Sequence, residues 1–415
     1  MNSPNTLARR LGTGDAVVIG LGSMIGAGIF AAFAPAAAAA GAGLLIGLLI
    51  AAAVAYCNAT SSAQLAAQYP TSGGTYVYGR ERLGPWPGFL AGWGFVIGKT
   101  ASCAAMAMTF AAYAVPEPWQ KPVAIAAILG LALVNYFGVT RTAAATRVIV
   151  TVVLAVLAVI VIAGLSSGAP AADGWASLTV TGGWYGVLQS AGLLFFAFAG
   201  YARIATMGEE VKEPQRTIPR AILTALSLAV AIYLLVAVGL LLTIGAQTVA
   251  TSNAPLVDVV LARGWDWAGP LVRIGAAAAA LGALLALIAG VGRTSLAMAR
   301  HGDLPEWLAS VHPRHRVPHR AEITLAVVVS VIVLLVDLRG AIGFSSFGVL
   351  LYYFVANVAA YTQSDSQRLY PKLLQILGAL GCVVLIFTLP PVSIAAGVGM
   401  FLIGICYRVV RRRRG

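Results

Sequence analysis

The chain has 415 residues, 60% of them hydrophobic and 10% charged, with a mean hydropathy of +0.88. That composition excludes a soluble globular chain. The net charge of +13 would suit nucleic acid, but its placement along the chain, described below, argues against such a partner.

A membrane-crossing helix needs roughly 20 apolar residues, and twelve candidate runs are present. They lie at approximately 15–38, 41–66, 86–115, 122–139, 146–167, 185–208, 217–245, 268–300, 321–337, 341–363, 371–388 and 390–408. The connections are mostly short, so residues 1–410 read as a single all-α polytopic transmembrane domain, with a basic tail over 411–415. No hydrophobic core precedes Asp15 and eleven more spans follow the first, so the alanine-rich stretch after Phe33 is not read as a signal cleavage site.

The first span contains Gly22-Ser-Met-Ile-Gly-Ala-Gly28. Its lead-in resembles a strand entering a dinucleotide-binding glycine loop, but that motif needs a βαβ unit and these glycines sit within an apolar span. Two readings stay open. Gly22 and Gly26 form a small-xxx-small pair suited to close helix packing. Alternatively, the helix breaks here and turns amide N–H groups toward an anionic group. A second break is expected in the sixth span around Phe198-Ala-Gly200. Unwound backbone at membrane depth is tolerated only where it lines a protein-enclosed cavity.

The third and eighth spans are long, as strongly tilted helices would be. They stand five apart, as do the two broken spans. This pattern predicts a five-plus-five repeat over about 13–168 and 183–364, inverted because each copy has an odd number of spans. The spans at 371–388 and 390–408 fall outside it.

With the N-terminus inside, Arg9, Arg10, Arg80, Arg82, Arg141, Arg147, Lys212, Arg216, Arg220, Arg300, Arg314, Arg316, Arg320, Arg368, Lys372 and the tail from Arg408 to Arg414 collect on the cytoplasmic side. The external turns keep Lys121, Arg263 and Arg339. This positive-inside bias predicts both termini in the cytosol of a cell-membrane protein. The terminal arginine run reads as a topology anchor in contact with the lipid bilayer. Nothing in the sequence sets an oligomeric state.

Cys57, Cys103, Cys382 and Cys406 all fall inside predicted spans, as small apolar packers rather than disulfide partners or zinc ligands. His301, His312, His315 and His319 share one basic loop without nearby cysteine, so no metal site is expected. Thr294 and Ser295 could offer oxygens to sodium. There is no His-Glu-x-x-His helix, nucleophile elbow or phosphate loop, so no enzyme activity, cofactor or internal ATP motor is expected.

Two cations stand out. Lys99 lies about thirteen residues into the third span, near mid-depth at 1.5 Å per residue, and Arg203 lies one turn beyond the sixth-span break. Intramembrane cations are costly and are functional candidates. Lys99 reads either as a titrating switch for coupling or as a lysine snorkelling or paired with a carbonyl. Arg203 either receives a carboxylate or pairs with Glu209 or Glu210. Glu209 and Glu210 could form a cytoplasmic gate with Arg10 or Arg80, or stand as a solvated helix end.

Four strings together resemble the amino acid–polyamine–organocation (APC) superfamily of secondary transporters. They are Gly22-Ser-Met-Ile-Gly-Ala-Gly-Ile-Phe30; Pro70-Thr-Ser-Gly-Gly-Thr-Tyr76 with Gly92-Trp93; Phe195-Phe-Ala-Phe-Ala-Gly200 followed by Glu209-Glu-Val-Lys-Glu-Pro214; and Arg293 with Ala297-Met-Ala-Arg-His-Gly-Asp-Leu-Pro305. The resemblance covers nearly the whole chain. It implies a LeuT-like fold and alternating-access transport of amino acids driven by a proton gradient, with sodium as a lesser alternative. It also implies that amides at Ile25, Gly26, Ala27 and Gly28 bind a substrate carboxylate, and that carbonyls at Phe196, Ala197 and Ala199 bind the α-amino group, with Phe196 as aromatic cap. Relatives carrying cationic substrates often have acidic residues where this chain has Arg203. Alternatives are an exchanger, a carrier of polyamines or amino-acid conjugates, a non-transporting nutrient sensor, or a channel.

Overall fold

The computed structural model describes residues 11–26, 28–70, 73–138, 143–166, 179–208 and 210–414. The first span comprises three pieces, α1 (Thr13–Ile25), α2 (Gly28–Ala31) and α3 (Phe33–Ala40). There follow α4 (Leu44–Gln68), a short α5 (Gly74–Leu83), the long α6 (Pro85–Ala114), α7 (Gln120–Tyr136) and α8 (Ala143–Leu165). The sixth span is α9 (Gly183–Phe198) and α10 (Ala202–Ala205) joined by a 3-10 turn. Then come α11 (Pro214–Thr251), α12 (Pro255–Ala262), α13 (Ala268–Arg300), α14 (His319–Leu335), α15 (Leu338–Tyr361), α16 (Lys372–Thr388) and α17 (Pro391–Arg414).

Among the described residues nine helical stretches are long and apolar enough to cross a membrane, and α7 and α16 are shorter apolar helices. The expected all-helical polytopic architecture is therefore present. Local chemistry sets many boundaries. Proline, whose missing N–H costs nothing in a first turn, opens α6, α11, α12 and α17. The Asp337 carboxylate caps α15 by accepting from the Gly340 amide at 2.8 Å. Gly245, at φ 74°, kinks α11 where the seventh span was expected to end.

Among the described residues, the buried apolar side chains group into three clusters. The largest draws on α1–α6, α8–α13 and α15–α17. A second joins residues of α6, α7, α13 and α14 with a few from α2, α3, α9 and α15, and a small third gathers Tyr76, Phe89, Met298 and Leu304. The first and sixth spans contribute to both larger clusters, Ala31 and Phe196 to the second and Phe30, Ala197 and Phe198 to the first, as do α6, α13 and α15. Small residues let α6 and α15 touch through backbone: a Cβ on Gly348 would stand 2.6 Å from the Gly94 carbonyl oxygen. Cys57, Cys103 and Cys382 are buried free thiols, and Cys406 is exposed on α17.

Candidate functional site

α1 ends at Ile25, and Gly26, at φ −28° and ψ −95°, leaves helical geometry before the chain turns helical again at Gly28. Ala27 lies outside the described residues. The sixth span behaves differently. Instead of unwinding, α9 tightens after Phe198 into the 3-10 turn Ala199–Tyr201 and continues as α10. Changing the hydrogen-bond register in this way still weakens the carbonyl ladder.

The two interruptions touch. A Cβ on Gly28 would lie 2.6 Å from the Ala197 Cα, and one on Gly200 would lie 2.5 Å from the Met24 amide nitrogen. Glycine at these positions is a condition of the crossing. The Tyr233 hydroxyl of α11 ties the pieces together, its single O–H shared between the Met24 carbonyl at 2.7 Å and the Ala197 carbonyl at 3.0 Å. The Lys99 ammonium of α6 donates to the Ala199 carbonyl at 3.4 Å, and the Tyr353 hydroxyl of α15 reaches the same oxygen at 3.4 Å. Both contacts are long, so a better-placed donor can displace them. A carbonyl oxygen has two lone pairs, so Ala197 retains acceptor capacity.

Phe196 is buried and belongs to the second apolar cluster. A void of about 10 Å³, close to one water in size, lies beside the first break and is lined by Gly22, Ile25, Gly26, Val150, Val153 and Ala279. This conformation is thus closed around the breaks. Of the residues assigned to the site, Ile25, Gly26, Gly28, Phe196, Ala197 and Ala199 come together, with Lys99 joining them.

The cytoplasmic-gate residues are arranged otherwise than the sequence suggested. Glu209 and Arg10 lie outside the described residues. Leu11 is bound to the other arm of this loop, its amide donating to the Glu210 carbonyl at 3.1 Å. Arg203 has Glu210 as an opposite charge and Arg293 as a like charge in its surroundings, but among the described residues it makes no ion pair. Arg80 pairs not with Glu210 but with Asp303, at 2.9 Å. Asp303, 4% exposed, also faces Arg408 at 3.2 Å and accepts from the Tyr76 hydroxyl at 2.9 Å. The Arg408 guanidinium stacks over Phe89 at 4.4 Å and Trp86 at 4.8 Å.

His312, His315 and His319 gather around Tyr136, with His312 and His315 ring centroids 4.7 Å apart. His301 sits apart, against Tyr76. Among the described residues no three His, Cys, Asp or Glu side chains are placed to hold a metal ion. The Thr294 hydroxyl turns back to its own helix, donating to the Gly290 carbonyl at 3.1 Å.

Sequence reasoning missed Tyr233, Tyr353 and Asp303. It also missed a buried amide pair in which the Asn357 side chain donates to Asn58 at 2.6 Å and accepts from the Ser61 hydroxyl at 2.7 Å. The signal available for all of them is a polar residue inside an apolar run, which is weaker for neutral side chains than for full charges.

The amino acid permease family model matches residues 11–410. An uncharacterized transporter of Mycobacterium tuberculosis is 57% identical over 409 residues, covering 99% of this chain and 92% of the relative. The branched-chain amino acid permease BcaP of Bacillus subtilis is 25% identical, covering 96% and 92% respectively. A human protein, cationic amino acid transporter 4, is 30% identical over 85% of this chain and 59% of its own length. With its apolar helices, this chain is a multi-pass membrane transporter that belongs to the amino acid permease family.

Proposed function

We propose that the protein is a proton-coupled secondary transporter that moves neutral amino acids across the cytoplasmic membrane by alternating access, with both termini in the cytosol. The observation that carries this reading is the seam formed where the two helix interruptions touch in the buried interior of the protein. The amides at Ile25, Gly26, Ala27 and Gly28 receive the substrate carboxylate, near the positive end of a helix piece. The carbonyls of Phe196, Ala197 and Ala199 receive its ammonium. Spans one to five and six to ten form the inverted repeat, and rocking of one group of helices against the rest exposes the seam to alternate sides.

Lys99 supplies the coupling. Charged, its ammonium ties Ala199 to α6 and holds the seam closed. Losing its proton on the low-proton side weakens that tie and lets the site open there. Its charge also bears on the substrate. Relatives' names divide between branched-chain and cationic amino acids, and a second positive charge beside Lys99 would be repelled. Neutral amino acids fit the cation better.

Reconstitution into liposomes with radiolabelled leucine, alanine and arginine tests the reading. Saturable uptake of leucine or alanine that rises with an inward proton gradient is expected; no saturable uptake of any of the three would sink it. Lys99→Gln should flatten the dependence of uptake on pH, and a wild-type pH profile in that variant would remove Lys99 from the mechanism.

A further inference from the structure

A second cavity, of about 650 Å³, opens on the face that carries residues 115–120 and 252–254. This volume is in the range of small-molecule sites. It is framed by the end of α6, the start of α7, the α11–α12 corner and the first turns of α13, and it is lined by charges of both signs: Glu117, Asp258 and Arg273. Among the described residues these charges do not neutralise one another, because Arg273 forms no ion pair with either carboxylate. The Arg273 guanidinium donates to the Tyr113 carbonyl at 3.0 Å, leaving most of its donors for another acceptor. One Asp258 oxygen accepts from the Ser252 hydroxyl, and no described protein donor reaches the other.

Between the lining residues Ala112 and Ala114, Tyr113 reaches toward the first break. Tyr113, fully buried at the end of α6, donates its hydroxyl to the Phe30 carbonyl at 3.3 Å and packs edge-on against the Phe30 ring at 5.6 Å. Phe30 lies in α2, immediately beyond the Gly26–Gly28 interruption. Tyr113 thus contacts both Arg273 and α2.

We propose that this cavity is a loading site for a zwitterionic α-amino acid, its carboxylate on Arg273 and its ammonium on Asp258, with Glu117 at the mouth. The inference rests on the amino acid reading above and adds a second place of binding. The Tyr113 carbonyl takes one guanidinium donor, so a carboxylate binds the remaining ones while Arg273 stays anchored at the end of α6. A zwitterion suits the cavity better than a simple anion or cation because both signs of charge are present and unpaired.

The test uses purified full-length protein carrying Cys406→Ser, which removes the exposed thiol, and Asn253→Cys at the cavity wall. Reaction of that cysteine with a charged maleimide should slow several-fold with leucine, but little with propionate or isobutylamine. In the same background, Arg273→Gln should abolish the protection. In liposomes, Arg273→Gln and Asp258→Asn should each raise KM about tenfold for uptake from this face, with kcat unchanged, as for one lost charge-assisted contact. Protection that persists in Arg273→Gln would come from the central site and would overturn the proposal. So would labelling indifferent to leucine in a protein that transports it. Protection without any transport would leave the loading site standing and reject the transport reading, so the two failures are distinguishable.

Discussion

At the scale of single residues, the site depends on side chains that are absent as much as on those present. Gly28 and Gly200 stand where the two interruptions cross, and neither position has room for a Cβ against the neighbouring backbone. Backbone cannot yield as a flexible side chain can, so overpacking costs about 1–3 kcal/mol. Gly200→Val should abolish uptake and lower the melting temperature in detergent; wild-type transport in that variant would show the crossing to be looser than described. Tyr233 works through bonds rather than space. Its one O–H proton is shared between carbonyls of the first and sixth spans, and Tyr233→Phe should cost about 0.6 kcal/mol, the average for one hydrogen bond within a membrane. Its uptake should fall more than its stability, because the lost bond joins the two parts that form the site. Lys99 was identifiable in the sequence because charge in an apolar span is rare. Tyr233 was not, since tyrosine is common in spans and only a fold shows which carbonyls its hydroxyl meets.

At the scale of elements, the last helix is fastened to the transporter body at two levels. The Trp93 indole donates to the Met400 carbonyl at 2.9 Å, and Arg408 faces Asp303 beside the rings of Trp86 and Phe89. Asp303 therefore joins α5, the loop after α13 and α17 through one carboxylate. Removing one member of a buried charge pair costs about 3–5 kcal/mol, whereas replacing both with apolar groups can be nearly neutral. Asp303→Asn should lower the melting temperature of purified protein, and Asp303→Asn combined with Arg408→Met should recover much of the loss. Equal destabilisation in the single and double variants would mean that the pair does not act as a unit. The motif containing Asp303 was visible in the sequence, but its partners were not. Arg80 lies 223 residues away; the sequence offered it to Glu209 or Glu210 as one alternative, and Glu210 is not its partner in the fold.

At the scale of the whole molecule, the seam where Gly28 meets Ala197 and Gly200 meets Met24 brings the backbones of the first and sixth spans together, and the proposed rocking would change those contacts. The proposed orientation has a direct check. Green fluorescent protein fused after residue 415 should fluoresce, and alkaline phosphatase inserted at Gly264, in an exposed turn, should be active; the reverse result would invert the topology. Most of the spans and the places where two of them falter were legible in the sequence by itself; against the twelve expected, nine helices among the described residues are long and apolar enough to cross and α7 and α16 are shorter. Hydrocarbon requires every backbone group to bond within its own helix, so apolar length and glycine placement carry that information along one dimension. The tertiary structure decided which carbonyl Lys99 meets, that Arg80 turns to Asp303, and that Arg273 shares a cavity with two unpaired carboxylates. Those outcomes depend on helices distant in sequence packing side by side, and a polar side chain takes whichever partner that packing brings within about 3 Å.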